Sequence, residues 1–215
     1  MKYLLFSLLA FLAGSLSNFA LSPWDNIFVL LFSFPLLFLI FQNVSGAKKN
    51  KKRILSFIFF GNLFLFGYFL FGLLWISSAF DYREGFAELK FISIIGLPLL
   101  LCLITTPGWI LTALLWGSRA QNCLALSAGI ITGEYLRSFL FTGFPWNLFG
   151  HSIGFNDYSM QIASIFGLDS LRKISECFKT SIILVSSQEI LSGLKKGVSA
   201  PYCFEISIIS LSSVE

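Results

Sequence analysis

The sequence predicts an all-α membrane protein, in which a bundle of about five transmembrane helices precedes a short, poorly ordered polar tail. Hydrophobic residues make up 56% of the 215 residues and charged residues only 12%, whereas soluble proteins carry about 25% charged residues. The mean hydropathy is +0.80. The long apolar runs lack the period-two alternation of a membrane β-barrel. Because lipid cannot hydrogen-bond to backbone groups, these runs must satisfy their backbone hydrogen bonds within helices.

Five apolar runs are long enough to cross a hydrocarbon core about 30 Å thick, which takes about 20 helical residues. They predict a polytopic transmembrane domain over residues 1–170, with spans at 3–21, 26–42, 54–76, 91–117 and 120–140 and an outer-face loop at 141–160. Turn residues at 22–25 (Ser-Pro-Trp-Asp) predict a tight hairpin between the first two spans. Because a second span follows at once, the first is not interpreted as a secretory signal peptide.

A knot of basic residues between the second and third spans sets the orientation. It contains Lys48, Lys49, Lys51, Lys52 and Arg53. If this knot lies inside with Lys2 and Arg119, seven of the bases within residues 1–140 are inside and three are outside, as the positive-inside rule requires. We therefore expect a cytoplasmic N-terminus and an outward-facing C-terminal tail. Anionic lipid headgroups explain the knot better than nucleic acid does, so membrane lipids are the expected partners.

The cysteines and the single histidine indicate neither a metal site nor a disulfide framework. Cys102 and Cys123 lie inside apolar runs, and Cys177 and Cys203 lie in the polar tail without paired spacing. His151 alone cannot supply a multi-histidine site or a histidine-based triad. No metal and no cofactor are expected.

Two ionisable residues fall in the last turns of the fifth span. Glu134 and Arg137 are three residues apart, so they share a helix face and can pair. Ionisable groups within a span usually face the bundle interior, and one interpretation of the pair is therefore a role on the substrate side. The alternative is that Arg137 extends to the lipid headgroups.

The segment that follows, Thr142–His151, combines helix-breaking residues with large apolar ones. Phe144, Pro145 and Trp146 lie at its centre. Irregular backbone persists near membrane depth only against protein or a watery cavity. The segment is therefore either the lip of a lipid-binding cavity or an aromatic belt with a turn, where indole suits the headgroup level.

The same region resembles a known family. Residues 133–152, GEYLRSFLFTGFPWNLFGHS, are similar to the signature of bacterial apolipoprotein N-acyltransferase. Residues 19–25, 67–76 and 161–168 resemble further stretches of that family. The resemblance covers about residues 1–170, and the Gly-Phe-Pro-Trp block is its most specific part.

The resemblance implies a role in lipoprotein maturation at the bacterial inner membrane. The family transfers an acyl chain from a phospholipid to the free α-amino group of a lipoprotein's N-terminal diacylglyceryl-cysteine. Its membrane bundle admits both lipids, and a nitrilase-like domain on the outer face uses a Glu–Lys–Cys triad to form a thioester acyl-enzyme. The family's lipid-handling tryptophan falls on Trp146. We expect Phe144, Pro145, Glu134 and Arg137 to belong to the same lipid- and substrate-binding site.

Residues 171–215 depart from the family. Four charges within 171–179 prevent insertion of a further span, since each costs about 2.5–3.5 kcal/mol at a helix centre. Only residues 200–206 resemble a catalytic strand, which makes Cys203 a candidate nucleophile, and the blocks for the base and the lysine have no counterpart. We therefore expect residues 171–215 to be a degenerate remnant of the nitrilase-like domain and the truncated chain to be inactive alone. Whether the protein is an enzyme is left open by the sequence.

A non-enzymatic membrane protein is the alternative function, either a lipid- or lipoprotein-binding scaffold or a small transporter. A transporter is expected to carry paired polar residues in mid-span or two matching halves. The predicted spans are nearly free of ionisable groups, which counts against transport. Genomic sequence beyond codon 170, translated in the other frames, distinguishes a broken enzyme from a short membrane protein.

Overall fold

The structure, a computed structural model, describes residues 2–46, 50–82, 87–140, 144 and 146–153 of the chain. Every secondary-structure element in these ranges is helical, which confirms the all-α class. The α-helices found there are α1 (Lys2–Ser17), α2 (Leu30–Ser45), α3 (Asn50–Gly72), α4 (Leu74–Ser77), α5 (Ala87–Leu115) and α6 (Arg119–Phe139). Short 3-10 helices occur at Asn18–Ala20, Ile27–Val29, Ser78–Tyr82 and Phe149–Ile153.

Four helical stretches are long and apolar enough to cross a membrane. They run over Lys2–Ala20, Ile27–Ser45, Lys51–Gly72 and Leu89–Leu115, and they fall on the first four predicted spans. Helix α6 occupies the position of the fifth and has 21 residues. It is less apolar because it carries Asn122, Glu134 and Arg137. These three side chains are buried in the bundle, so they do not face lipid.

The turn between α1 and α2 reverses the chain within a few residues. The N–H groups of Trp24 and Asp25 both donate to the Leu21 carbonyl at 3.1 Å, and Asn26 N–H donates to the Phe19 carbonyl at 2.9 Å. Asp25 has φ of 47°, a left-handed conformation in which Asp is enriched. The hairpin predicted at 22–25 is present, and α2 returns beside α1.

Glycines allow neighbouring helices to approach closely. A Cβ atom at Gly108 of α5 would overlap the Gly129 carbonyl of α6, and one at Gly14 of α1 would overlap the Phe64 carbonyl of α3. Small residues at such contacts are typical of membrane bundles, because lipid supplies no hydrophobic driving force for helix association. The backbones of α5 and α6, and of α1 and α3, are therefore in direct contact.

Aromatic rings fill the bundle at the end where α3 begins. Phe41 of α2 stacks on Phe57 of α3 with 4.2 Å between ring centroids. Trp116, which follows α5, meets the Phe57 ring edge-on at 4.9 Å. Lys51 and Lys52 are exposed at this end, which we call the basic end. Helix α3 runs from here to the opposite end, the site end, where the candidate site lies.

Candidate lipid-binding site

A buried ion pair lies in the last turns of α6. Glu134 is 4% exposed and Arg137 is 1% exposed, and Arg137 Nη2 lies 3.9 Å from Glu134 Oε1. The pairing expected from their spacing is confirmed. The Arg137 guanidinium does not extend outward, because it lies 4.7 Å from the centre of the Phe69 ring of α3, in cation–π geometry.

The ion pair holds the backbone that follows α6. Arg137 Nη2 donates to the Asn147 carbonyl at 3.1 Å, and Phe149 N–H donates to Glu134 Oε1 at 2.8 Å. The Phe144 N–H donates to the Arg137 carbonyl at 2.9 Å. Hydrogen bonds with an ionised partner are about twice as strong as neutral ones. Phe144 and residues 146–149, which we call the clamped segment, are thus fixed to α6 at three points.

Tyr68 of α3 fixes the clamped segment from the other side. Its hydroxyl donates to the Asn147 carbonyl at 3.1 Å, so this carbonyl accepts from both Tyr68 and Arg137. The Tyr68 ring stacks on Phe149, with 4.4 Å between centroids and 22° between planes. Asn147 has φ of 50°, a left-handed conformation that Asn adopts more readily than most residues. Two donors on its carbonyl hold it there.

Helix α1 joins the same network through Asn18. Its Nδ2 atom donates to the Tyr68 carbonyl at 2.8 Å and to the Ser15 carbonyl at 3.2 Å. A Cβ atom at Gly72 would overlap the side-chain amides of both Asn18 and Asn147. Glycine at position 72 therefore lets α1, α3 and the clamped segment meet at one point.

Trp146 projects from the clamped segment and stays 54% exposed. Its ring lies 5.4 Å from the ring of Trp75, centroid to centroid, with 59° between the planes. Trp75 belongs to α4 and is also 54% exposed. Phe144, in contrast, is partly buried and packs against the core. The backbone around Trp146 is therefore held rigidly while its indole remains available to another molecule.

A small cavity lies between the ion pair and the core. Its volume is about 20 Å³, and Tyr68, Trp109, Glu134, Arg137 and Phe149 are among the lining residues. This volume accommodates about one water molecule and no acyl chain. Glu134 and Arg137 thus contact the clamped segment from inside the bundle, whereas Trp75 and Trp146 lie exposed on its outside.

The structure brings together four of the residues that the sequence predicts for the site: Glu134, Arg137, Phe144 and Trp146. Pro145 and Cys203 lie outside the described residues, as do the whole of 171–215 and most of the loop predicted at 141–160. His151 is exposed on the 3-10 helix that follows the clamped segment.

Sequence reasoning missed the partners that α1 and α3 contribute. Tyr68, Gly72 and Trp75 lie within the stretch 67–76 that resembles the family, Asn18 directly precedes the stretch 19–25, and these positions were the available signal. It did not indicate which of them contacts the clamped segment. The hydrogen bond from Tyr68 joins residues 79 positions apart, so only the approach of α3 to the clamped segment in the folded bundle reveals it.

These features define an α-helical membrane protein with four helical stretches long and apolar enough to cross a bilayer, and with a site built where α1, α3 and α6 end together. The N-terminal domain model of apolipoprotein N-acyltransferase matches residues 13–171. The chain belongs to the apolipoprotein N-acyltransferase family. The resemblance seen in the sequence is thereby confirmed.

Three bacterial relatives illustrate the extent of the match, each of them named apolipoprotein N-acyltransferase. The chain is 36% identical to the protein of Rhodopseudomonas palustris, over 75% of this chain and 30% of that protein. Identity to the protein of Sinorhizobium fredii is 33%, over 87% of this chain and 34% of that one. Identity to the protein of Agrobacterium fabrum is 34%, over 89% of this chain and 36% of that protein. The chain spans about a third of the length of these relatives.

Proposed function

We propose that this chain is the membrane part of an apolipoprotein N-acyltransferase of the bacterial inner membrane. The reaction moves an acyl chain from a phospholipid to the α-amino group of a lipoprotein's N-terminal diacylglyceryl-cysteine. One ester bond is broken and one amide bond is formed, and the amine proton ends on the released lysophospholipid. Family membership and the names of the relatives support this reaction. The basic end supports a cytoplasmic N-terminus and an outward-facing site.

Within that reaction, the part proposed for this bundle is to hold the lipid substrates at the site end. The observation that supports the proposal is that both residues of the ion pair hold the backbone next to Trp146. Charged groups inside a membrane bundle cost a few kcal/mol each, and here both charges are hydrogen-bonded to the backbone beside Trp146. An aromatic belt residue needs no such support, because indole partitions to the interface by itself. The ion pair thus favours the interpretation of this segment as the lip of a lipid-binding site over its interpretation as an aromatic belt.

The residues divide the work. Trp146 contacts lipid, Phe144 packs against the core beside it, and Pro145 is assigned to the same lipid- and substrate-binding site. Glu134 and Arg137 position this segment from inside the bundle. Cys203 as nucleophile, and the inactivity of this chain when it is assayed alone, stay predictions. Lipoprotein N-acylation in membranes that contain only this chain tests the expected inactivity, since clear turnover contradicts it.

A chimera tests the proposed function directly. Residues 13–171 of this chain replace the matching part of the Rhodopseudomonas palustris relative, and the product is expressed in cells depleted of their own enzyme. We expect the lipoprotein N-terminus to gain the mass of one acyl chain in mass spectrometry. A chimera that reaches the membrane in normal amounts and leaves lipoproteins unacylated contradicts the proposal.

A pair of tryptophan variants of the chimera completes this test. Trp146→Ala is expected to lower acylation by roughly tenfold, which corresponds to about 1.4 kcal/mol of lost binding. Trp24→Ala is the matched control, because Trp24 is 66% exposed at the same end of the bundle and contacts Phe19 instead of the clamped segment. Equal activity of the two variants contradicts a lipid-binding role for Trp146.

A further inference from the structure

Trp75 forms, with Trp146, an exposed pair of indoles that the fold assembles from distant parts of the chain. The two residues are 71 positions apart, and their ring centroids are 5.4 Å apart. Each of the two residues is 54% exposed. By contrast, Trp109 and Trp116 are buried in the core and are only 2% and 8% exposed. The contact between Trp75 and Trp146 thus leaves about half of each residue accessible to a third group.

The backbone beneath each ring is held in place. Trp146 projects from the clamped segment, between Phe144 and Asn147, whose backbones are hydrogen-bonded to Arg137. Trp75 lies in α4, which is tied back to α3 by the hydrogen bond from Leu73 N–H to the Phe69 carbonyl at 3.0 Å. A contact surface that is fixed before binding loses little conformational entropy when a ligand arrives.

The location of the pair identifies the kind of ligand. Both indoles lie at the site end, opposite the exposed Lys51 and Lys52 and beyond the apolar body of α3. In a bilayer this is the depth of the glycerol and ester groups, where an indole places its ring among apolar atoms and its N–H toward polar ones. The surface is continuous with the site already described.

We infer that Trp75 is a second lipid-contacting residue, and that Trp75 and Trp146 together form a wall that binds the glycerol–ester region of a phospholipid. The wall lies at the membrane boundary, so a lipid reaches it laterally from the bilayer. The inference rests on the proposed function, since it assigns to the same site the part of the donor lipid nearest the reacting ester.

Photolabelling of the full chain in detergent micelles tests the inference. The probe is a phosphatidylethanolamine with a diazirine on the first carbons of one acyl chain, at low concentration, with or without excess unlabelled phosphatidylethanolamine. We expect labels on the peptides containing Trp75 and Trp146, suppressed by the excess lipid. Labels near Trp24, an exposed tryptophan outside the pair, should not be suppressed.

Variants separate a binding role from a structural one. Trp75→Ala should lower the competable labelling of the Trp146 peptide by roughly tenfold, with the unfolding temperature in detergent as a measure of the fold. Trp75→Phe keeps an aromatic ring and should retain part of the labelling. This variant provides the test if Trp75→Ala does not fold.

The outcomes distinguish the two proposals. Competable labelling of both peptides that falls in Trp75→Ala supports the inference. Competable labelling of the Trp146 peptide alone, unchanged in either variant of Trp75, overturns the inference and leaves the proposed function standing. Absence of competable labelling from both peptides overturns the inference and the lipid-binding role of Trp146, whereas the acylation reaction itself is judged by the chimera.

Discussion

Arg137 illustrates how one charged residue is accommodated among apolar helices. Its guanidinium is shared by the Glu134 carboxylate, the Asn147 carbonyl and the Phe69 ring. Removing one member of a buried ion pair leaves the other charge uncompensated, whereas replacing both members is often tolerated. The stability of the site end therefore depends on the pair as a unit more than on either residue.

The first prediction follows from that dependence. Arg137→Met should lower the free energy of unfolding by about 3–5 kcal/mol, because Glu134 stays buried without its cation. The double variant Glu134→Gln/Arg137→Met should recover part of the loss, since the Gln carbonyl can still accept from Phe149 N–H. Denaturant unfolding in detergent, followed by circular dichroism, measures both. A double variant no more stable than the single one contradicts the argument.

Tyr68 allows a smaller and more local change. Tyr68→Phe keeps the ring stacked on Phe149 and removes one of the two donors to the Asn147 carbonyl. We expect a loss of about 0.5–1.5 kcal/mol, typical of one hydrogen bond, together with weaker competable lipid labelling at Trp146. Tyr3→Phe, at an exposed position on α1, serves as control. Unchanged stability and labelling in Tyr68→Phe contradict a positioning role for the hydroxyl.

At the scale of elements, the contact between α5 and α6 determines where the ion pair sits. Gly108 of α5 abuts the Gly129 carbonyl, and one turn further along α6 a Cβ at Gly133 would come within 3.1 Å of Thr105 Cβ. Glu134 directly follows Gly133 in the chain. A wider separation of α5 and α6 would move the ion pair away from α3, so the glycines contribute to the site without touching it.

Two glycine substitutions in α5 form a matched test of this contact. Gly108→Ala should destabilise the bundle by about 1–3 kcal/mol, because the new methyl group overlaps a backbone carbonyl. Gly96→Ala adds the same methyl group where the nearest atom, Ile92 Cγ2, is 3.5 Å away. It should be neutral or stabilise the helix by up to about 1 kcal/mol. Equal unfolding free energies for the two variants contradict close packing at Gly108.

The elements themselves could be predicted, and their contacts could not. Long runs without charge predicted the positions of α1, α2, α3 and α5, because a helix needs a minimum apolar length to cross a bilayer. The pairing of Glu134 with Arg137 followed from helical spacing alone. The bonds from this pair to Asn147 and Phe149 depend on a left-handed residue and on the approach of α3, and neither leaves a periodic trace in the sequence.

For the whole molecule, the two ends of the bundle have different chemistry. The basic end exposes Lys51 and Lys52 and closes around stacked rings of Phe41 and Phe57. The site end exposes indoles over a buried ion pair. Because bases are retained on the cytoplasmic side, this asymmetry predicts that the site end faces outward and that the lipid proposed to contact Trp146 comes from the outer leaflet.

Cysteine labelling in intact cells tests that orientation. In a variant with all four native cysteines replaced by serine, Asp25→Cys places a thiol in the turn at the site end, and Lys51→Cys places one at the basic end. We expect a membrane-impermeant maleimide to label Asp25→Cys in intact cells and Lys51→Cys only after permeabilisation, because bases resist transfer across the membrane. The two positions are separated by the helix α2, so they lie on opposite sides if α2 spans the bilayer. The reverse pattern inverts the topology, and labelling of both in intact cells excludes a span between them.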